Sequence, residues 1–176
     1  MAVRFDANTD FLSLAPSAVA MANTSLCFWA KRIVDTNNWA TAYYISSGAG
    51  GEIFLETDSG GDAMWSYDLA SGPEQDLTGP TLTLSTWTFI GYVRTNTSQK
   101  LYWGTEAGGA LTTASAAFTV TNNANISVIR IGNDLYSEPF NGEIAYARHW
   151  TAQLSDGDMT AEYQSAVPVR TANLYG

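Results

Sequence analysis

Short runs of alternating hydrophobic and polar residues follow one another along the chain, and turns rich in glycine, asparagine and proline separate them about every ten residues. Alternation with period two is typical of strands that bury one face, and this turn spacing is typical of an all-β sandwich. The predicted strands are Val3–Leu14, Ser25–Val34, Ala40–Ser46, Glu52–Thr57, Ala63–Leu69, Thr81–Leu84, Trp87–Thr95, Lys100–Trp103, Phe118–Val120, Ser127–Ile131 and Gly142–Trp150. No linker, internal repeat or low-complexity segment interrupts them, so a single domain is predicted over residues 1–176.

The last predicted strand, Gly142–Trp150, has the clearest alternation. Strict period two predicts that Ile144 and Arg148 lie on one side of it and His149 on the other. No serine or cysteine nucleophile motif lies near this histidine in the sequence. We therefore expect His149 to have a structural role at a face of the sheet.

A short helix is predicted directly after that strand. Ser155 is a good N-cap, and Asp158 stands at the N3 position of a capping box. Asp156 lies in the first turn, where the helix dipole favours negative charge. Leu154 and Met159 can form a hydrophobic staple across the start of the helix. The sandwich is therefore predicted to close with one strand and one capped helix.

Composition and charge limit the range of partners. Hydrophobic residues make up 45% of the chain, enough for a sizeable core. Charged residues make up only 14%, the formal net charge is −9, and the only lysines are Lys31 and Lys100. An acidic surface repels phosphate groups, so nucleic acid and anionic membranes are disfavoured, whereas neutral sugars and divalent cations are compatible. No apolar run reaches the roughly 18 residues that a membrane span needs.

The single cysteine, Cys27, lies in a predicted strand and excludes an internal disulfide framework. Met1 leads directly into the first predicted strand, so no signal peptide is visible and export by the ordinary route is not expected. Few lysines and many threonine and asparagine residues fit a virion protein that is assembled in the cytoplasm and released by lysis. We expect a virion location, or an extracellular or cell-surface location after release.

Aromatic residues are more numerous than the core of a small sandwich needs, with six tryptophans and nine tyrosines. Sugars bind largely by stacking their apolar C–H faces on aromatic rings, while polar side chains orient the hydroxyl groups. The candidate ligand-binding aromatics in or beside turns are Trp39, Tyr43 or Tyr44, Trp103 and Tyr136. Trp65 is a further candidate, which shares a strand face with Tyr67 and Leu69; the pattern leaves open whether that face looks inward.

Several segments, in their order and spacing, resemble the laminin-G-like branch of the concanavalin A-like jelly rolls. They are Asn8–Leu14 after Phe5-Asp6, the aromatic and basic run Ser25–Lys31, the Trp-led strand Ser85–Val93, the run Lys100–Gly104, the run Ile129–Gly132, and the closing strand and helix Phe140–Tyr163. The resemblance covers nearly the whole chain. It implies a two-sheet antiparallel jelly-roll sandwich with one short C-terminal helix. Such domains mostly bind glycans or act as scaffolds, and some branches cleave sugars.

The run Glu52–Glu56 resembles the catalytic strand of laminarinase-type glucanases in the same superfamily, which place an aspartate between two glutamates on one strand face. Here Phe54 stands at that middle position. The two glutamates are about 13 Å apart at Cα, whereas retaining hydrolysis needs carboxyl groups about 5–5.5 Å apart. Glu52 and Glu56 are therefore included among the ligand-binding candidates, and no catalytic residue is assigned.

The resemblance also implies a structural Ca²⁺ between the loop after the first strand and the last strand. The oxygens at the matching positions belong to Asp6, Asp10 and Glu143, and carboxylates are ligands that Ca²⁺ prefers. The family commonly has an acidic pair in the closing strand, where this chain has Ala145 and Tyr146.

Three functions are compatible with the sequence. The leading hypothesis is a non-catalytic, lectin-like carbohydrate-binding module of a phage or bacterial surface protein. The second is a structural virion or tail-associated assembly protein. The third is a glycoside hydrolase or lyase that uses Glu52 and Glu56. A convergent group of exposed aromatic rings would favour the first, and two carboxyl groups within reach of each other in a groove would favour the third.

Overall fold

The computed structural model describes residues 2–7, 9–16, 19–34, 39–48, 51–58, 63–68, 75–118 and 124–165. The strands are, in chain order, β1 Ala2–Phe5, β2 Leu12–Leu14, β3 Thr24–Arg32, β4 Ala40–Ser46, β5 Glu52–Thr57, β6 Ala63–Asp68, β7 Gln75–Thr81, β8 Thr88–Arg94, β9 Ser98–Thr105, β10 Thr112–Ala117, β11 Val128–Ile131 and β12 Gly142–Trp150, and the helix is α1 Asp156–Ser165. One sheet, sheet A, has the order β1-β12-β3-β8-β9-β10, and the other, sheet B, has the order β2-β11-β4-β5-β6-β7. All pairings between these strands are antiparallel, which confirms the predicted two-sheet sandwich.

The prediction of one long first strand over Val3–Leu14 is wrong, because the chain changes sheets within it. Strand β1 pairs with β12 in sheet A, and β2 pairs with β11 in sheet B. The Asp10 carboxylate accepts hydrogen bonds from the backbone amides of Asp6 and Ala7, both at 3.2 Å. This turn is an example of a local side-chain to backbone bond that competes with continued strand structure.

Two edge strands also differ from the predictions. Strand β7 begins at Gln75, ahead of the predicted run Thr81–Leu84, and β10 covers Thr112–Ala117, ahead of the predicted run Phe118–Val120. Residues 119 and 120 of the latter run lie outside the described residues. Both observed strands are mostly exposed or half-buried, so they lack the hydrophobic signal on which the sequence prediction depends.

The main core lies between the two sheets and is formed by their inward-facing side chains. Phe28 of β3 and Tyr43 of β4 are buried there, with ring centroids 5.9 Å apart in a stacked arrangement. A second cluster on the outer face of sheet A contains Trp29 and Phe89. Its rings meet edge to face at 5.6 Å. Sheet A therefore buries apolar side chains on both of its faces.

Strand β12 contains a β-bulge that reverses its alternation. The register with β3 shifts between Ala145 and Arg148, and Tyr146 adopts a left-handed conformation with φ of 53°. Ile144 faces the main core before the bulge, and His149 faces the core side after it, beside Tyr43. The prediction that Ile144 and Arg148 share a face is therefore wrong, because a bulge adds one residue to one strand only.

The imidazole of His149 is half-buried on the core side of sheet A. Its Nδ1 lies 3.1 Å from the hydroxyl of Tyr43, and the two rings stack at 6.3 Å. Its Nε2 is buried and has no hydrogen-bond partner. Burial lowers the pKa of His149 to about 4, so the ring is neutral at physiological pH. The expected structural role is consistent with this position.

Helix α1 covers part of the outer face of sheet A. The predicted capping box is present, since the backbone amide of Ser155 donates to Asp158 Oδ2 at 2.9 Å and the amide of Asp158 donates to Ser155 Oγ at 3.2 Å. Tyr163 and Met159 are the buried residues of the helix, and both belong to the outer cluster of sheet A. Among the described residues, no helix is long and apolar enough to cross a membrane.

Candidate functional site

The outer face of sheet B carries the candidate site. Its floor is formed by β4 and β5, and the segment 132–141 between β11 and β12 lies against it. Alternation in β5 directs Ile53 and Leu55 into the main core and leaves Glu52, Phe54 and Glu56 on the outer face. The segment 132–141 is held to β4 by a hydrogen bond of 2.8 Å from the amide of Thr41 to the carbonyl of Glu138.

Glu52 is the centre of one half of this site. The hydroxyl of Tyr44 donates to Glu52 Oε1 at 2.5 Å, and the hydroxyl of Tyr136 lies 3.3 Å from each carboxylate oxygen. The rings of Tyr44 and Phe54 are 4.9 Å apart, and those of Phe54 and Tyr136 are 6.2 Å apart. We call Tyr44, Phe54 and Tyr136 the aromatic cluster.

The members of the aromatic cluster differ in exposure. Tyr44 and Phe54 are buried, whereas Tyr136 is 61% exposed. Burial, followed by the hydrogen bond to Glu52, raises the pKa of Tyr44 above its usual range. The charge of Glu52 is the main cause of the raised pKa of Tyr136. Both hydroxyls therefore keep their protons and act as donors to Glu52.

Three carboxyl groups form the other half of the site. Oxygens of Glu56, Asp134 and Glu138 all lie within 4.8 Å of one another, and we call these residues the carboxylate cluster. The hydroxyl of Thr41 lies 3.2 Å from Glu56 Oε2 and 3.1 Å from Asp134 Oδ2. Asp134 also accepts the backbone amide of Tyr136 at 2.7 Å. The carboxylate cluster and the aromatic cluster are therefore connected through Asp134.

The carboxylate cluster retains protons at neutral pH. Burial is the main cause that raises the pKa of Glu56 to about 8, with Glu138 the next contributor. Burial and then the charge of Asp134 raise the pKa of Glu138 to about 7. The hydroxyl of Thr41 is the donor towards both Glu56 and Asp134, and its bond to Glu56 lowers the pKa of that group against the larger effect of burial.

We expect the stability of the protein to fall as the pH rises from 6.5 to 8. A raised pKa in the folded state means that the folded protein binds more protons than the unfolded chain, so the stabilisation present below about pH 4.5 is lost towards pH 8. Between pH 6.5 and 8 this loss of stability is about 2 kcal/mol, at 1.36 kcal/mol per pH unit. Urea unfolding at several pH values measures it.

The variant Glu56→Gln is the matched control for this pH dependence, because it keeps the shape and removes the titration. Its stability should fall clearly less than that of the wild type between pH 6.5 and 8, because only Glu138, whose pKa is raised to about 7, still titrates there. His149 does not interfere, since its lowered pKa affects stability only as the pH falls from about 6.5 to 4. Equal slopes in the two proteins would show that Glu56 does not carry the effect.

The structure brings together several residues that the sequence singled out. Tyr44, Glu52, Glu56 and Tyr136 share the outer face of sheet B. Trp39 immediately precedes β4 and is 38% exposed. The two glutamates do not meet, because Glu52 binds the tyrosine hydroxyls whereas the carboxyl of Glu56 lies beside Thr41.

Trp103, one of the predicted aromatic residues, does not join this group. Trp103 lies on sheet A and packs against the main core. Trp65 pairs in register with Glu56 and Thr78, and its side chain lies outside the described part of the structure.

The residues proposed for calcium have other partners. Asp6 forms an ion pair with Arg4 at 3.0 Å, and Glu143 forms one with Lys31 at 2.5 Å. Asp10 accepts the two turn amides described above. Within the described ranges, the carboxylate cluster is the group that could hold a metal ion. A calcium site at Asp6, Asp10 and Glu143 stays a prediction.

Sequence reasoning missed Thr41, Asp134 and Glu138. Asp134 had a weak signal, because it ends the turn Gly132-Asn133-Asp134. Thr41 had no such signal in the sequence, because strict alternation counted backwards from Tyr44 places Thr41 on the core side of β4. A register shift between Thr41 and Tyr43 brings Thr41 opposite Glu56 on the outer face instead.

Known structures share this fold. The LG1–3 region of the laminin α2 chain has a TM-score of 0.69 at 8% identity, and the match covers 89% of this chain and 32% of that one. Domain 4 of AbnA, a GH43 extracellular arabinanase from Geobacillus stearothermophilus in complex with arabinotriose, has a TM-score of 0.66 at 18% identity, with 92% and 75% coverage. A heptameric SAP-like pentraxin from Limulus polyphemus has a TM-score of 0.62 at 12% identity, with 90% and 79% coverage.

At these identities the comparisons establish a common fold. The chain spans 32% of the length of the laminin fragment. A search of the curated proteins finds no matching sequence. The sequence model of the Laminin_G_3 family, described as the concanavalin A-like lectin/glucanases superfamily, matches residues 6–159, and the chain therefore belongs to this family.

Proposed function

We propose that the chain is a carbohydrate-binding module that holds a glycan on the outer face of sheet B. The observation that carries this proposal is the position of Tyr136, which is 61% exposed and yet fixed at both ends. Its hydroxyl bonds to Glu52, and its backbone amide bonds to Asp134. An exposed aromatic ring held in place in advance is a stacking platform for the apolar face of a sugar.

Polar groups beside Tyr136 can orient the hydroxyl groups of the sugar. Glu52 is half-buried, and its carboxylate has about four acceptor positions, of which the two tyrosine hydroxyls use only part. Glu138, also half-buried, lies two residues after Tyr136. A glycan stacked on Tyr136 would therefore find acceptors for its hydroxyl groups at the rim of the ring.

Trp39 extends the proposed site along β4. It lies five residues before Tyr44, which is about 16 Å along a strand, and its side chain is 38% exposed. Trp39 and Tyr136 are thus two exposed aromatic residues that can contact different sugar units of one polysaccharide. The name of the family and the arabinotriose bound to the related arabinanase domain support the same class of ligand.

The carboxylate cluster fits a Ca²⁺ ion in its donor chemistry. Glu56, Asp134 and Glu138 would supply carboxylate oxygens, and Thr41 would add a hydroxyl. Hard oxygen donors of this kind suit Ca²⁺, which takes six to eight of them. The ion would neutralise the cluster and fix segment 132–141 against β4. If it binds, calcium should remove the pH-dependent loss of stability in the wild type and change Glu56→Gln much less.

We expect Tyr136→Ala to reduce the affinity for a bound polysaccharide about tenfold or more, because it removes the stacking surface. Calorimetry against arabinan and other plant and bacterial polysaccharides measures this. Tyr146→Ala is the matched control, since Tyr146 is 38% exposed on β12 in the other sheet. An equal loss in both variants, or wild-type protein that binds no polysaccharide, would contradict the proposal.

The structural virion or tail-assembly role stays a prediction from composition. It is compatible with glycan binding, because adhesion to a cell surface can use the same face. Detection of the protein in purified virions tests it directly.

A further inference from the structure

We propose that the site on sheet B selects amino sugars whose nitrogen is free and protonated, and that it rejects uronic and sulfated sugars. This inference rests on the proposed function and names the class of sugar. It follows from the charges on this face of the molecule and from the surroundings of Glu52.

Acidic side chains dominate the described part of the face. They are Glu52, Glu56, Asp134 and Glu138, of which Glu52 and Glu138 are half-buried and can be reached from solvent. Protons held by Glu56 and Glu138 reduce this charge at neutral pH, but they do not make it positive. A ligand with its own negative charge would meet repulsion here, and repulsion is an effective means of rejecting a wrong partner.

Arg130 is the cation that the described residues place on this face. It pairs in register with Tyr44, and its guanidinium donates to the carbonyl of Asp134 at 2.6 Å and stacks over Phe11 at 4.5 Å. Its Nε has no partner, but that atom is buried and out of reach of a ligand. Arg130 therefore serves to hold segment 132–141 and is poorly placed to attract an anionic sugar.

Glu52 can bind an ammonium group at the edge of the Tyr136 ring. Its Oε2 accepts only the 3.3 Å contact from Tyr136, which leaves acceptor positions free. An ammonium group placed there would form a charge-assisted hydrogen bond with the carboxylate. A neutral acetamido group of the same sugar would donate only an uncharged and weaker hydrogen bond to Glu52.

The test compares three short oligosaccharides of equal length by calorimetry at about pH 6, where free sugar amines are charged. The probes are the trimers of β-1,4-linked glucosamine, of its N-acetylated form, and of galacturonic acid. We expect the glucosamine trimer to bind about tenfold more tightly than the acetylated trimer, and the galacturonic trimer to bind least. Added salt should reduce the difference.

Variants assign the preference to this site. Glu52→Gln should bring the affinities for the glucosamine trimer and for its N-acetylated form to within about twofold of each other. The substitution should leave stacking on Tyr136 in place. Glu106→Gln removes one negative charge from the turn after β9, on the other sheet, and should keep the tenfold preference. A preference that persists in Glu52→Gln, or disappears equally in both variants, would overturn the assignment.

Two outcomes separate this inference from the proposed function. Equal affinity for the amine and acetylated trimers, with both lost in Tyr136→Ala, would overturn the amine selectivity and leave glycan binding intact. Failure of the wild type to bind any of the trimers or longer polysaccharides would overturn the proposed function and the selectivity with it.

Discussion

Gly132→Ala is expected to destabilise the protein by about 3 kcal/mol or more and to remove the candidate site. Gly132 has a φ of +89°, and a Cβ at this position would lie 2.1 Å from the ring of Phe5. Phe5 is 2% exposed and is packed in the main core. Left-handed strain costs of the order of 1–3 kcal/mol, and overpacking of a core costs a similar amount.

The site is lost because Gly132 begins the segment that carries it. The amide of Gly132 donates to the carbonyl of Ala42 at 2.9 Å, and its carbonyl accepts from Phe140 at 3.0 Å. A displaced backbone at this point would move Asp134 and Tyr136, which follow within four residues. Glycan affinity should therefore fall together with stability.

Gly108→Ala is the matched control for this substitution. Gly108 has a similar φ of +83°, but nothing lies within 4 Å of a Cβ built there. Gly108→Ala should lower the free energy of unfolding only by the cost of the backbone strain, about 1 kcal/mol. Thermal and urea unfolding of both variants measure the difference. If the two lose the same stability, the contact with Phe5 is not the cause.

Tyr163→Ala is expected to destabilise the protein by roughly 3–4 kcal/mol, the usual cost of removing a large buried aromatic ring. The Tyr163 ring stacks on Trp29 at 5.7 Å and meets Phe89 at 5.3 Å. It fits there because Gly104 has no side chain, since a Cβ on that glycine would lie 2.8 Å from the ring. Loss of the ring should leave α1 undocked from sheet A.

The conservative variant Tyr163→Phe separates the ring from its hydroxyl. It removes only the 2.6 Å hydrogen bond to the carbonyl of Thr105 and should cost about 1 kcal/mol. Unfolding curves give the stabilities, and the fluorescence of buried Trp29 should shift in Tyr163→Ala alone. Both variants should keep wild-type glycan affinity, because α1 lies on the opposite sheet. A binding defect would show that the two faces are coupled.

The fold could be predicted from sequence because its central strands follow simple rules. Strands β3, β4, β5 and β8 bury nearly every residue and appear as hydrophobic runs between turns. The cap of α1 has a local signal in Ser155 and Asp158. The edge strands β7 and β10 were misplaced, because half-exposed strands have weak hydrophobic patterns.

The candidate site could be predicted only where one strand carries it. Period two was enough to place Glu52, Phe54 and Glu56 on one face. It gave no information on Glu138, which reaches this face from a segment about 80 residues later in the chain. Trp103 appeared to be a turn residue, but β9 continues to Thr105 and turns its ring towards the core.

The bulge in β12 has a consequence for comparing this chain with distant relatives. The strand behaves as two short strands whose inward positions are offset by one residue, with Ile144 in one phase and His149 in the other. In a relative that lacks this bulge, the inward residues on one side of it would be one position out of phase with those of this chain, because a bulge adds one residue to one strand only.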